Sequence, residues 1–369
     1  MRKKVTAVIL AAVCLVFLLI AGKYIKDSGI LKGYPKEEFL SYDEEAIRPV
    51  YSELSFDEQA VYTALYRGIS KRQEHIPLPF EVKGDDYSKV YCILEKQESG
   101  FFYLDSVYYT AEKVREARIV YRKLGDIDQR KKDLDEAVRA AVYDVQDYKG
   151  DDYKVRYIND FLVKKCRYIT GDDSEMASTA YGCLVEGEAN CEGYAKAFRL
   201  LASEMGVESV VVTGKTDKGE NHAWNQVRIG TEWYNIDVTW ADTDKAGEIR
   251  NAYFLCSDKD FSKTHFADTE LFTPYKCDSD TMNYYVRSGL YAKTCEEAAD
   301  ILRRELSSGR KTVEIRFDNR DAYNEFMETY INGQKVFDVV SETGYQHNGE
   351  VTLHLDDNAS ELCLTLRFE

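Results

Sequence analysis

The sequence predicts an α+β protein, and three observations carry that expectation. A stretch of helical period opens at Cys191, an alternating stretch with a two-residue turn follows over His222–Trp240, and short runs of both periods are interspersed on either side. With 369 residues, 44% of them hydrophobic and 13% aromatic, the chain is long enough for two or three domains with real cores. Its formal net charge of −16, with no basic stripe, argues against nucleic acid as a partner.

The chain opens with Arg2, Lys3 and Lys4, followed by an apolar run from Val5 to Ala21 broken only by Thr6. Residues 1–22 read as a membrane anchor or a cleaved signal peptide. The exit lacks a clean small-x-small cleavage site, which favours an uncleaved transmembrane helix. The basic residues before the span then place everything after it outside the membrane. Residues 23–50, polar and carrying Gly29, Gly33 and Pro35, read as a linker.

Residues 51–125 read as a small α+β domain. Ser55 with Glu58 three positions on is a capping-box pattern ahead of a helix with Val61, Leu65 and Ile69 on one face. IPLPFEV, FFYLDSVYY and ARIVYRKL read as strands around a second helix near Tyr87–Glu98. Residues 126–280 begin with helical patterns over Asp126–Asp147 and Asp152–Cys166, parted by Lys149-Gly150, and lead into the stretch opened by Cys191. Residues 281–369 read as a second small α+β domain: a helix in TCEEAADILRRELSSG, a strand in KTVEIRF, a helix in RDAYNEFMETYI, and a hairpin of VTLHL with LCLTLRF.

Nine cysteines (Cys14, Cys92, Cys166, Cys183, Cys191, Cys256, Cys277, Cys295 and Cys363) are scattered without the dense spacing of a disulfide scaffold. Most read as buried small residues. Cys191 differs because Asn190 is a good N-cap, which puts the thiol in the first turn of a helix whose Cys191, Tyr194, Ala195, Phe198, Leu201, Ala202 and Met205 share a face. Unpaired backbone N–H groups and the positive end of the helix dipole favour a thiolate there.

HAWNQVRI and EWYNIDVTW flank Gly230-Thr231, a pair suited to a tight hairpin turn. The implied register sets Trp224 opposite Asp237 and His222 opposite Thr239. His222, Trp224, Gln226, Trp233, Asn235, Asp237 and Thr239 then share one face for chemistry, while Val227, Ile229, Tyr234, Ile236 and Val238 share a core face. His222 and Asp237 become diagonal neighbours roughly 7–8 Å apart at the backbone. A thiol, a base and a carboxylate that orients the base make a nucleophilic set, so Cys191, His222 and Asp237 are the candidate catalytic residues.

Other chemistries find less support. Asp242-x-Asp244 with Gly247 resembles the start of a calcium loop, but Tyr253 stands where a bidentate Glu is needed. Cys256 with His265, and Cys183 with Cys191, lack zinc-site spacing, and there is no phosphate-cradling or dinucleotide fingerprint. No cofactor or metal is expected.

AYGCLVEGEANCEGYAKAFRLLASEMG, followed by NHAWNQVRI and EWYNIDVTW, resembles the transglutaminase-like superfamily, particularly its bacterial extracytoplasmic members with flanking domains. The resemblance covers roughly residues 126–272. It implies a papain-related, transglutaminase-like core in which the Cys-bearing helix packs on an antiparallel sheet. In that core Cys191 is the nucleophile, His222 the base and acid, and Asp237 the orienting group. Tyr181 and Trp224 lie where the family places aromatics, as oxyanion support or pocket wall. The implied activity is acyl transfer at peptide or protein amides through a Cys191 thioester. Water as acceptor would give a peptidase or amidase, an amine a crosslinking enzyme, and the first is favoured because no channel for a second substrate is legible. A catalytically inactive cell-surface binding or assembly module is the alternative.

Overall fold

The structure is a computed structural model that describes residues 33–143, 145, 150–170, 174–243, 248–345 and 351–369. The apolar N-terminal stretch, with the first part of the expected linker, lies outside the described residues, as do Asp244 and Gly247. Among the described residues no helix is long and apolar enough to cross a membrane. The chain divides into two compact units, Met1–Arg130 and Lys131–Glu369.

In the first unit, Ser55 and Glu58 form a full capping box at the start of α1 (Phe56–Ser70). Strand β1 (His75–Lys83), helix α2 (Gly84–Gln97) and strands β2 (Leu104–Tyr108) and β3 (Lys113–Tyr121) follow. β3 lies between β1 and β2 in an antiparallel sheet. Leu65 and Ile69 of α1 and Tyr87, Ile93 and Leu94 of α2 are buried in its core.

The unit boundary falls within helix α3 (Ile127–Tyr143). In the second unit α4 (Asp151–Lys165) leads to β4 (Arg167–Tyr168), which pairs in parallel with β5 (Glu188–Ala189). A π-helical turn, Gly182–Glu186, lies between them. Next comes α5 (Cys191–Glu204), capped by Asn190, whose Oδ1 accepts the Gly193 N–H at 3.1 Å. Helix α5 packs on β6 (Ser209–Thr216) and β7 (Asn221–Ile229). With β8 (Glu232–Ile236) and β9 (His265–Ala267) these make a sheet ordered β8-β7-β6-β9, antiparallel throughout. The Cys-bearing helix on an antiparallel sheet is the α+β core expected from the sequence.

Two glycines permit close approaches that set up the core. A Cβ built on Gly193 would fall 2.2 Å from Ala177 O and 2.7 Å from Ala189 Cβ, and one on Gly214 would fall 2.2 Å from Phe266 O. The first lets the chain at residues 177–179 press on the start of α5; the second lets β9 lie close along β6. Gly193→Ala should therefore lower stability by about 1–3 kcal/mol, because both obstacles are backbone or fixed side chain. Chemical denaturation read by circular dichroism would show this as a lower midpoint; an unchanged midpoint would mean the contact yields freely.

The C-terminal stretch belongs to this second unit. β10 (Tyr291–Ala292), β11 (Thr312–Phe317), β13 (Cys363–Phe368) and β12 (Leu353–Asn358) form a sheet in that order, backed by α6 (Cys295–Ser307), α7 (Arg320–Phe326) and α8 (Lys335–Glu342). The hairpin of β12 with β13 stands where the sequence placed it. The parallel pairing of β10 with β11 and the helix Lys335–Glu342 had no expectation. Arg316, 2% exposed, donates to Ala252 O at 2.5 Å and lies 3.5 Å from Asp260 Oδ2. It thereby ties this sheet to the single helical turn Asp258–Phe261.

Candidate active site

The hairpin register is the one the Gly230-Thr231 turn dictates: Ile229 faces Glu232, Gln226 faces Asn235 and Asn225 faces Ile236. The strand expected to run on through Trp240 instead ends at Ile236. Asp237 becomes the N-cap of a one-turn helix, Val238–Ala241, and its Oδ1 accepts the Trp240 N–H at 3.1 Å. Its own N–H donates to Tyr253 O. An aspartate that can cap a turn competes with further pairing, so β8 leaves β7 after Asn225, while β6 runs along the other edge of β7 with Gly214 opposite His222. Thus neither Thr239 nor Asp237 stands opposite a β7 residue, which corrects the extended-hairpin expectation.

The division into a core face and a chemistry face also fails, because both faces of β7 are buried. Gln226, Trp233 and Asn235, expected beside the chemistry, hold the connection after β8. Gln226 Nε2 donates to Tyr275 O at 2.8 Å, Trp233 stacks on Tyr275 at 3.9 Å, and Asn235 Nδ2 donates to Asp258 Oδ1 at 2.8 Å. On the opposite side of the strand, Asn225 Nδ2 donates to Ala195 O of α5 at 3.0 Å and joins helix to sheet.

His222 and Asp237 nevertheless meet. His222 Nε2 lies 2.7 Å from Asp237 Oδ2, with the side chains 6% and 0% exposed. An ionised carboxylate can only accept, so Nε2 carries the proton and Nδ1 is the nitrogen left for another partner. Cys191 is near enough to act electrostatically on the imidazole and is the candidate for that place. Cys191 itself is half-buried against Ala195, Val211 and Ala223. Burial disfavours the His222 imidazolium, but the Asp237 carboxylate and, after it, Cys191 more than offset this, and its pKa is pushed up to about 10. For Asp237, burial works against the charge, yet His222 and then His265 hold its carboxyl well below the usual range. The arrangement supplies a sulfur at a helix N-terminus, a proton carrier beside it, and a fixed anion that keeps the carrier charged.

Tyr181 and Trp224 are both buried, at 5% and 3% exposure. Tyr181 immediately precedes the π-helical turn. Trp224 stacks 6.2 Å from His222 and packs 5.7 Å from Phe261, so it stands as a wall beneath the imidazole. Its indole N–H has no hydrogen-bond partner among the described residues.

His265 joins the site although the sequence weighed it only as a zinc ligand. Its Nε2 lies 3.1 Å from the same Asp237 Oδ2, and its side chain is 0% exposed. The signal was weak, because β9 is three residues long and shows too little alternation to register. Among the described residues, the donor atoms of His222, Asp237 and His265 lie within 4.8 Å of one another, a set that could hold a metal ion. As arranged, both imidazoles instead turn Nε2 to one carboxylate oxygen.

Residues 137–238 match the family described as the transglutaminase-like superfamily, a span that includes Cys191, His222 and Asp237. The kyphoscoliosis peptidase of Mus musculus is 33% identical over 101 residues, covering 22% of this chain and 15% of that protein. That of Homo sapiens is 30% identical over 128 residues, covering 29% of this chain and 19% of that protein. The chain therefore spans less than a fifth of the length of these curated relatives. A solved structure of a TGase is 13% identical with a TM-score of 0.29, covering 42% of this chain and 47% of that chain.

Proposed function

We propose, from a chain whose residues 137–238 belong to the transglutaminase-like superfamily, that this protein is a cysteine enzyme of acyl transfer at peptide or protein amides. The observation that carries the reading is the His222 ring, bonded through Nε2 to buried Asp237 at 2.7 Å and close enough to Cys191, at the start of α5, for the two to act on each other electrostatically. In this mechanism His222, kept charged by Asp237, already holds the proton on Nδ1, and the Cys191 thiolate beside it attacks the amide carbon. The carbonyl π electrons move to oxygen, where backbone N–H groups of the first turn of α5 are disposed to receive the charge. The tetrahedral intermediate collapses, the C–N bond breaks, and His222 Nδ1–H protonates the departing amine. Asp237 remains ionised and keeps the ring in position.

The Cys191 thioester is then resolved by water or by a second amine. Hydrolysis is the favoured outcome; the peptidase names of the two relatives lean the same way. The reaction takes place outside the membrane if the apolar N-terminal stretch acts as the anchor its sequence suggests. The deciding experiment sets hydrolysis of a fluorogenic peptide library beside incorporation of a labelled primary amine into a protein acceptor. Peptide cleavage without amine incorporation supports the peptidase or amidase form, and amine incorporation overturns it in favour of crosslinking. Neither reaction exceeding a Cys191→Ala blank would overturn the enzyme and leave a binding module.

A further inference from the structure

One carboxylate oxygen of Asp237 serves two histidines, and the second has no part in the chemistry above. His222 Nε2 and His265 Nε2 lie 2.7 and 3.1 Å from Oδ2, while Oδ1 accepts the Trp240 N–H at 3.1 Å. We propose that His265 is a positioning residue that locks the Asp237 carboxylate in the orientation His222 requires. This rests on the acyl-transfer reading of the site.

A carboxylate on a short side chain has a soft terminal torsion, so a single bond to Trp240 N–H leaves it free to swing. The Nε2–H of His265 supplies a second fixed donor on the oxygen that faces His222. His265 is itself held on every side. Its Nδ1 lies 2.9 Å from Thr264 Oγ1, its ring stacks 3.9 Å from Phe261, and Trp240, Trp224 and Tyr253 close the cage at 4.6, 5.1 and 5.1 Å. With Asp237 at Nε2 and the Thr264 hydroxyl at Nδ1, the ring is held at both nitrogens. The Gly214 close approach brings β9 near enough for this bond.

Two variants separate positioning from packing. His265→Phe keeps an aromatic ring in the cage and removes the donor; His265→Gln can return an N–H toward Oδ2. Alkylation of Cys191 by iodoacetamide and peptide turnover are measured with each, together with the His222 Nε2–H proton resonance. The expected result is a roughly ten- to a hundredfold loss in kcat for His265→Phe with KM little changed. The alkylation rate should fall in parallel, the His222 resonance should shift, and His265→Gln should recover most of each. Wild-type kcat and an unmoved resonance in His265→Phe would overturn the proposal. So would equal damage in both variants, which marks a packing role alone. His222→Ala reports on the underlying reading separately: alkylation at the wild-type rate in that variant would overturn the Cys191–His222 pairing, whereas the resonance comparison tests the His265–Asp237 link by itself.

Discussion

Cys191→Ala is expected to lose at least about 10³-fold in both hydrolysis and amine transfer, falling to the uncatalysed level, while the fold stays intact. The sulfur is the atom that bonds to the acyl carbon, and among the described residues no other thiol shares a hydrophobic cluster with the residues around His222. Cys166, Cys183, Cys256, Cys277, Cys295 and Cys363 are buried. Burial pushes the Cys256 thiol up to about 12 and raises those of Cys183, Cys277 and Cys92 as well. Iodoacetamide at neutral pH should therefore label wild type mainly at Cys191 and leave Cys191→Ala largely unmodified. Because Cys191 is half-buried against small side chains, the variant's stability should stay within about 1 kcal/mol of wild type. Paired activity assays, mass spectrometry of the labelled protein and thermal melts check all three. Turnover retained in Cys191→Ala would mean that this sulfur is not the nucleophile.

Asp237→Asn should cost on the order of 10³–10⁴ in kcat/KM, because the amide keeps the shape of the carboxylate and removes its charge. Asparagine caps a helix as well as aspartate, so the turn Val238–Ala241 should survive. With the anion gone, only Cys191 still opposes the effect of burial on His222. Its pKa, pushed up to about 10 in the wild type, should fall toward or below the ordinary histidine value, a change that NMR titration of the ring reads directly. The same substitution changes stability with a definite sign. Raised in the folded state, His222 contributes stability that is fully present below about pH 6.5 and lost as pH climbs through about 10. Depressed in the folded state, Asp237 contributes stability that is present above about pH 3.9 and lost as pH falls through its low native value. The gap between wild type and Asp237→Asn should be widest between about pH 4 and 6.5 and narrow toward alkaline pH. Guanidinium denaturation across that range would contradict the pairing if the gap were flat.

Much of the site's scaffold was legible because it rests on short-range rules. Asn190 ahead of an apolar stripe marks where α5 begins, and a Gly-Thr turn between two alternating runs sets which residues of β7 and β8 face each other. Ser55 with Glu58 marks the start of α1 in the same way. Less legible was where a pattern stops. The run after Ile236 alternates well enough to continue as a strand, yet Asp237 turns it into a cap once its side chain finds the Trp240 N–H. Gln226 and Asn235 looked like polar residues on a working face, and their amides instead close onto Tyr275 and Asp258, segments that no local rule brings there.

The sequence by itself determined the thiol at a helix start, the hairpin turn and its register, and a family signature spanning Cys191, His222 and Asp237. Each depends on residues a few positions apart or on a motif carried whole. Only the tertiary structure decided that Asp237 leaves the strand to reach His222, and that His265, 28 residues further on, shares its Oδ2. It also set Phe261, held by the turn whose Asp260 faces Arg316 of the distant C-terminal sheet, beneath that second ring. The physical reason is the range of the interactions. A cap or turn is settled by neighbours along the chain, whereas the partners of a buried carboxylate are settled by which strands and turns the whole core packs around it.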